Sequence, residues 1–429
     1  MSTLPDQIQY IQRVVDDQMR RCLGFMPTVL VEGPRGCGKT TTARRFADSE
    51  LLLDDDAAAR GHAEHGTLPL HNGPFPMLID EWQLAPAVWN RVRHASDDMQ
   101  SPGRFILTGS ANPADDATRH SGAGRVTRVR MRPMSLYETG DSSGSVSLST
   151  LLAGGVCLAL PASSAARPEF DLREVANMIC KGGWPACRNM DVPETQDFLV
   201  AYLDEVCRVD VPRVNGVRHD PVNIHRTLQS LARHTASSPA VRTLACDVGV
   251  GSPISFETIR SYLDALTRIF VMEDQNPWAP HLLSRARLRK TVKRHLVDPA
   301  LAACVLSATP EQLFNDRETL GHFFESLVVR DLRIYAQACR ASVFHYRDNN
   351  NLEVDAVVQS RDGAWIAVEV KLGDPKSVDT AAASLLTLRR LVDTQRTGQP
   401  SKLLVITATG YAYERSDGVA ITPITLLGP

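Results

Sequence analysis

The stretch Thr28-Val-Leu-Val-Glu-Gly-Pro-Arg-Gly-Cys-Gly-Lys-Thr-Thr-Thr42 decides the fold of the N-terminal part of the chain. An apolar strand, Val29 to Val31, runs into the pattern G-x-x-x-x-G-K-[ST] at Gly33, Gly38, Lys39 and Thr40, and a helix-forming stretch, Thr41 to Ala47, follows at once. Strand, loop and helix in that order are what a phosphate-binding loop requires. Its glycines let backbone N–H groups curl round a β-phosphate at the start of a helix. Lys39 is expected to reach the β- and γ-phosphates and the Thr40 hydroxyl to sit on Mg²⁺. Gly33, Pro34, Arg35, Gly36, Cys37, Gly38, Lys39, Thr40 and Thr41 are thus the candidate ATP contacts. A Gly/Pro-rich turn between two core elements would explain the glycines, but not why Lys39 and Thr40 stand together at the helix start.

Magnesium needs a second holder, an acidic residue at the end of a neighbouring strand. Phe75-Pro-Met-Leu-Ile-Asp-Glu81 supplies it: Asp80 is the expected metal-site carboxylate, and Glu81 the group that orients and activates the attacking water. A third strand, Arg104 to Leu107, runs into Thr108-Gly-Ser-Ala-Asn112. Thr108, Ser110 or Asn112 there would either sense the γ-phosphate at a sheet edge or simply make a polar turn. Gly124-Arg125 precedes another strand-like run, Val126 to Met131. Arg125 is placed in order either as an arginine finger, in its own or a neighbouring subunit, or as a surface salt bridge.

GPRGCGKT, MLIDEWQ, FILTGSAN and GRVTRVRMRPMSLYE, in that order, resemble the AAA-type P-loop ATPase half of a large bacterial and archaeal family of two-part proteins. The C-terminal half of that family is of unknown function and similar to PD-(D/E)XK nucleases. The resemblance implies an ATP-binding and ATP-hydrolysing domain over residues 1–140, and Gln83 matches a glutamine usual after the acidic pair. Assembly into a homo-oligomer through this domain is a further expectation.

Composition bounds the rest. The 429 residues suffice for two or three domains, and 47 basic against 49 acidic side chains exclude a globally basic nucleic-acid coat protein. The densest basic stretch, Arg285, Arg287, Arg289, Lys290, Lys293, Arg294 and His295, reads as a solvated helix face or a phosphate-binding patch. Nine cysteines form no C-x-x-C pair, and the closest two, Cys180 and Cys187, do not make a zinc knuckle. Scattered cysteines without a signal peptide, and no apolar run long enough to span a bilayer, lead to the expectation of a soluble, cytoplasmic protein.

Residues 141–310 read as a linker followed by a helical, winged-helix-like region. Ser142 to Pro168 is rich in Ser, Ala and Gly, with one apolar segment docked on a neighbour. Lys181-Gly-Gly-Trp-Pro185 is a tight turn; GGWP and AYLDEVCRVDVPRV also resemble the family's middle segment. Ser255 is placed to cap a helix whose apolar face is Ile259, Tyr262, Leu263 and Leu266, with a strand at Ile269 to Met272. A capped helix before a strand suits either DNA reading or protein contacts.

Residues 311–429 carry a second constellation. Glu325 lies on an amphipathic helix, a strand-like run Ser342 to Tyr346 follows, and Leu352 to Gln359 and Ala364 to Val370 form a hairpin about Arg361-Asp-Gly363. A midpoint at Asp362 sets Asp355 opposite Glu369 and Glu353 opposite Lys371, all on one face. Asp355, Glu369 and Glu325 would then hold Mg²⁺ or Mn²⁺, while Lys371 orients water or stabilises charge on a phosphate. With a helix at Val378 to Val392 and a strand at Lys402 to Thr407, the order is αβββαβ, and FFE, EVDAVV and VEVK resemble PD-(D/E)XK nucleases. An exposed hairpin face with favourable cross-strand pairs, or a nuclease fold retained for binding, are the alternatives. The expected class is α/β throughout: a P-loop parallel sheet with helices on both faces, a helical middle, and a restriction-endonuclease-like domain acting on DNA or RNA.

Overall fold

The computed structural model describes residues 10–71, 73–112, 120–155, 171–215, 220–251, 253–280, 292–350 and 352–429. The chain divides into two compact units, the first ending at Met131 and the second running from Arg132 to Pro429, with Ala111–Ala114 also counted in the second.

The first unit is built on five parallel strands, β1 (Thr28–Glu32), β2 (Ser49–Leu52), β3 (Met77–Asp80), β4 (Phe105–Gly109) and β5 (Val126–Arg130), in the spatial order β2-β3-β4-β1-β5. β1, β3 and β4 are buried along their whole length, as strands covered on both faces must be. Alternation divides their side chains between two cores. Leu30, Ile79, Phe105 and Leu107 pack with Trp82, Val88 and Trp89, whereas Val29, Val31, Leu78 and Ile106 pack with Val15 and Met19 of helix Val15–Leu23.

The second unit opens with residues that the sequence assigned to the ATPase domain. Ser135 and Glu138 form a capping box on helix Leu136–Thr139, and Met134 N donates to the Gly183 carbonyl at 2.6 Å. The following segment is less of a linker than its composition suggests. β6 (Val146–Ser147) pairs in parallel with the last strand of the chain, Leu427–Gly428, and Leu148, Leu151 and Leu152 are buried. The remainder of that stretch, 156–170, lies outside the described residues. Helices Leu172–Lys181, Val192–Glu205, Pro221–Arg233, Val241–Val248 and Phe256–Arg268 make the middle. Ser255 caps the last of these through the Thr258 N–H, and Ile259, Tyr262, Leu263 and Leu266 are its buried face. β7 (Met272–Gln275) and β8 (Lys293–Leu296) then pair as an antiparallel ribbon.

A mixed six-stranded sheet closes the second unit. β9 (Ala341–Arg347), β10 (Glu353–Ser360), β11 (Trp365–Lys371), β12 (Lys402–Thr407), β13 (Tyr413–Glu414) and β14 (Val419–Pro423) lie in the order β13-β14-β12-β11-β10-β9. Helix Arg317–Ala338 precedes β9, and helix Pro375–Leu391 crosses between the parallel pair β11 and β12. Val378, Ala381, Ala382, Leu385 and Leu388 of that crossover bury Trp365, Ala367, Leu403 and Val405. Among the described residues no helix is long and apolar enough to cross a membrane, and the eight described cysteines are free thiols.

Candidate functional sites

The loop after β1 turns through two left-handed glycines, Gly36 (φ 73°) and Gly38 (φ 98°), a conformation that a Cβ disfavours. A Cβ on Gly33 would lie 2.2 Å from the Met131 carbonyl oxygen, so the exit from β1 passes too close to the end of β5 for any other residue. Lys39 is buried and its Nζ donates to the Pro34 carbonyl at 2.9 Å, folding the ammonium over the loop. Cys37 is buried, with its carbonyl accepting from Arg13 at 2.9 Å, whereas Arg35, Gly36 and Thr41 face solvent.

β3 delivers Asp80 to the same place. The Thr40 hydroxyl donates to Asp80 Oδ1 at 2.9 Å and reaches Oδ2 at 3.1 Å, and the Thr108 hydroxyl, from the end of β4, also donates to Asp80. A hydroxyl beside a carboxylate is an oxygen set that suits Mg²⁺, which keeps several waters of its own. Glu81 has left-handed backbone (φ 52°), unusual for a residue with a side chain and found disproportionately at functional positions. Its N–H donates to Thr108 Oγ1 at 3.1 Å and its carboxylate accepts from Ser110 at 3.0 Å and from Gln83. Gln83 also donates to Ser110 at 3.1 Å. Gln83, whose role the sequence left open, therefore fixes the orientation of Glu81. Ser110, expected either to sense phosphate or to make a polar turn, is its partner in that task.

Arg125 does not approach this loop within its own subunit. Val126 pairs with Thr28, and the Arg125 carbonyl accepts from Thr28 N at 3.1 Å, which puts Arg125 at the end of β1 remote from Gly33. Four residues of strand, about 13 Å, separate the two ends. Its guanidinium is bound instead to Asp97 at 2.7 and 3.3 Å, the salt bridge weighed as the alternative. Arg128 and Arg130, not Arg125, stand at the loop end, paired with Glu32 at 2.7 and 3.3 Å. Asn112 is held in the second unit, its carbonyl accepting from Arg268 at 2.9 Å.

In the second unit the hairpin has the expected register, Ala356 opposite Val368 and Gln359 opposite Trp365, and one step further brings Asp355 beside Glu369. Lys371 Nζ lies 2.7 Å from Glu369 Oε2 and 3.4 Å from Asp355 Oδ2, and Val370 N donates to the same Asp355 oxygen at 2.8 Å. Glu353, two residues before Asp355, reaches Lys293, and the pairing of β10 with β9 shifts between Val354 and Val357. Lys293, from β8, lies 2.8 Å from Glu325 Oε1, 2.8 Å from Glu353 Oε1 and 3.8 Å from Asp355 Oδ1. Its reading as part of a solvated basic face fails: Lys293 and His295 alternate inward on a buried strand, while Arg285, Arg287, Arg289 and Lys290 lie outside the described residues.

Burial sets the charge state of this cluster. It pushes the Glu325 and Glu369 carboxyls up to about 8, with the Asp355 charge adding to the effect. Burial also works against ionisation of Asp355, but Lys371 and Lys293 outweigh it and hold that carboxyl below its usual range. Both lysines stay charged, since the surrounding carboxylates overcome the burial that would discharge them. One oxygen of each of Glu325, Glu353 and Glu369 is thus paired with an ammonium, and Asp355 lies beside both lysines. Among the described residues no group of three or more Asp, Glu, His or Cys side chains is arranged to hold a metal ion. The expected Glu325, Asp355 and Glu369 set converges, but with Lys293 in place it does not fit a divalent cation.

Three stretches of the chain match models of known domains. Residues 26–140 match the model of an AAA domain, residues 172–312 a domain of unknown function (DUF8612), and residues 320–427 a second domain of unknown function (DUF4143). The chain carries an AAA-type ATPase domain. Uncharacterized proteins of Mycobacterium tuberculosis (strain ATCC 25618 / H37Rv) and Mycobacterium bovis (strain ATCC BAA-935 / AF2122/97) are each 25% identical over 410 residues, 95% of this chain and 82% of theirs. Among solved structures, a Walker-type ATPase of Pyrococcus abyssi is similar at 13% identity and a TM-score of 0.41, over 68% of this chain and 94% of that one.

Proposed function

We propose that this protein is an ATP-hydrolysing switch whose nucleotide cycle controls its C-terminal domain, a nuclease-like fold acting on DNA or RNA. The observation that carries the reading is the meeting of Thr40, Asp80 and Thr108 beside a Glu81 held by Ser110 and Gln83. Thr40 and Asp80 would hold Mg²⁺, which neutralises phosphate charge when bound. Lys39 exchanges the Pro34 carbonyl for phosphate oxygens, and Glu81 orients the attacking water and takes its proton. Glu81→Gln should bind a fluorescent ATP analogue normally yet lose hydrolysis by about 10²- to 10⁴-fold, and Lys39→Ala should lose binding itself. Normal turnover by Glu81→Gln would sink the assignment.

A second reading of the C-terminal domain, as a module that recognises nucleic acid without cutting it, is favoured by the two lysines that already stand inside its acidic cluster. The readings separate on single-stranded, double-stranded and branched substrates with Mg²⁺ or Mn²⁺. Cleavage abolished by Asp355→Ala or Lys371→Ala supports a nuclease, whereas binding without cleavage supports the module. Light scattering with and without ATP tests the assembly of the ATPase domain into a homo-oligomer.

A further inference from the structure

The β7–β8 ribbon contributes a lysine to the carboxylate cluster from outside the helix-and-sheet core that supplies the acids. We infer that Lys293 is a built-in cation of this cluster, occupying the position between Glu325, Glu353 and Asp355 and keeping divalent metal ions out of it. The contacts leave little else for it to do. Its Nζ sits 2.8 Å from one oxygen of Glu325 and from one of Glu353, and 3.8 Å from Asp355 Oδ1, with its side chain only 4% exposed. A metal joining Glu325 to Asp355 would have to sit within a few ångströms of this ammonium, and a doubly charged ion and an ammonium that close repel each other.

Lys371 already serves Glu369 and the other Asp355 oxygen, so Lys293 is a second, separate cation with its own partners. Nor is it a loose side chain. Gln275, across the ribbon, donates to the Phe344 and Asp355 carbonyls at 3.0 Å each, and its own carbonyl meets His295 at 3.1 Å. The other ring nitrogen of His295 meets Ser326, the residue after Glu325, at 3.1 Å. Glu273, on the same ribbon, is held by Arg132. The Gln275 and His295 bonds fix the ribbon that carries Lys293 against both elements that carry the acids.

The inference concerns the cluster read above as nuclease-like, but its test uses neither nucleotide nor nucleic acid, so ATP turnover and cleavage do not bear on the outcome. Full-length protein carrying Asp80→Ala, which removes the N-terminal metal oxygens, is titrated with MnCl₂, and free Mn²⁺ is read by electron paramagnetic resonance. The parent should bind no Mn²⁺ in the C-terminal unit. Lys293→Met should bind it at least about 10- to 100-fold more tightly, the scale on which neighbouring groups shift metal affinity, and Lys293→Met with Asp355→Asn should lose it again. Equal affinity in the parent and in Lys293→Met overturns the inference, as does a folded Lys293→Met that binds none. Should Lys293→Met unfold, recovery of its melting transition by Mn²⁺ supports the inference. With no recovery the parent titration decides alone: tight binding overturns it and absence of binding upholds it.

Discussion

Arg330→Met should destabilise the second unit in a manner that depends on pH, and the geometry fixes both the size and the sign. Arg330 donates to Asp298 Oδ2 at 2.8 Å and to Asp331 Oδ1 at 2.8 Å, and both carboxylates have no solvent exposure. Asp298 also accepts from Gly183 N at 2.9 Å, and Asp331 from Leu136 N at 3.0 Å, so the GGWP and PMSLYE segments are both fastened to this arginine's partners. Removing the guanidinium leaves two buried carboxylates without a cation, a change that costs about 3–5 kcal/mol. In a unit of this size that is a fall in Tm of roughly 6–20 °C. Burial already holds the Asp331 carboxyl above its usual range even with Arg330 beside it. Without Arg330 it rises further, and a carboxyl whose folded pKa is raised contributes stability that is intact below its unfolded pKa and lost as pH rises through the folded one. The deficit should therefore be large at pH 8 and less than half as large at pH 5. Calorimetric melts of wild type, Arg330→Met and Arg330→Lys at the two pH values read this directly. An equal deficit at both would show that lost packing, not stranded charge, is responsible, and no deficit at pH 8 would refute the reasoning outright.

Two further outcomes follow from charges elsewhere. Glu325 and Glu369 hold protons to about pH 8 in the native state, whereas the unfolded chain releases them near 4.5. The urea midpoint of the second unit should thus decline as pH rises from about 4.5 to about 8, and Glu369→Gln should flatten the decline; a wild-type profile flat over this range would contradict the assignment. Arg125→Ala should keep wild-type ATP turnover, because Arg125 and its partner Asp97 stand at the sheet end remote from Gly33. A tenfold loss in a steady-state ATPase assay would mean that a neighbouring copy brings this arginine to the phosphates.

What the sequence disclosed, and what it hid, divides by the range of the interactions involved. Gly33 to Thr40 is legible because its chemistry is local: the turns, the lysine and the hydroxyl lie within eight consecutive residues. The hairpin was equally open to reading, since a two-stranded register follows from its turn and alternation, and Ala356 does meet Val368. The two readings of Arg125 stayed open because chain order does not say which end of a strand a residue occupies until the pairing of Val126 with Thr28 is known. Lys293 was hidden for a stronger reason. It stands 62 positions before Asp355 in a run of basic residues that reads as a solvated face, and only the ribbon pairing of β7 with β8 turns it inward. Four carboxylates gathered from one helix and two strands leave an excess of negative charge that the hairpin's own Lys371 cannot balance, and a buried cluster of that kind persists only if protons or another cation make up the difference. Both act here: burial raises the Glu325 and Glu369 carboxyls toward the protonated form, and the surrounding carboxylates keep Lys293 charged. Charge balance, rather than any motif, is the signal by which a second lysine could have been sought from the sequence.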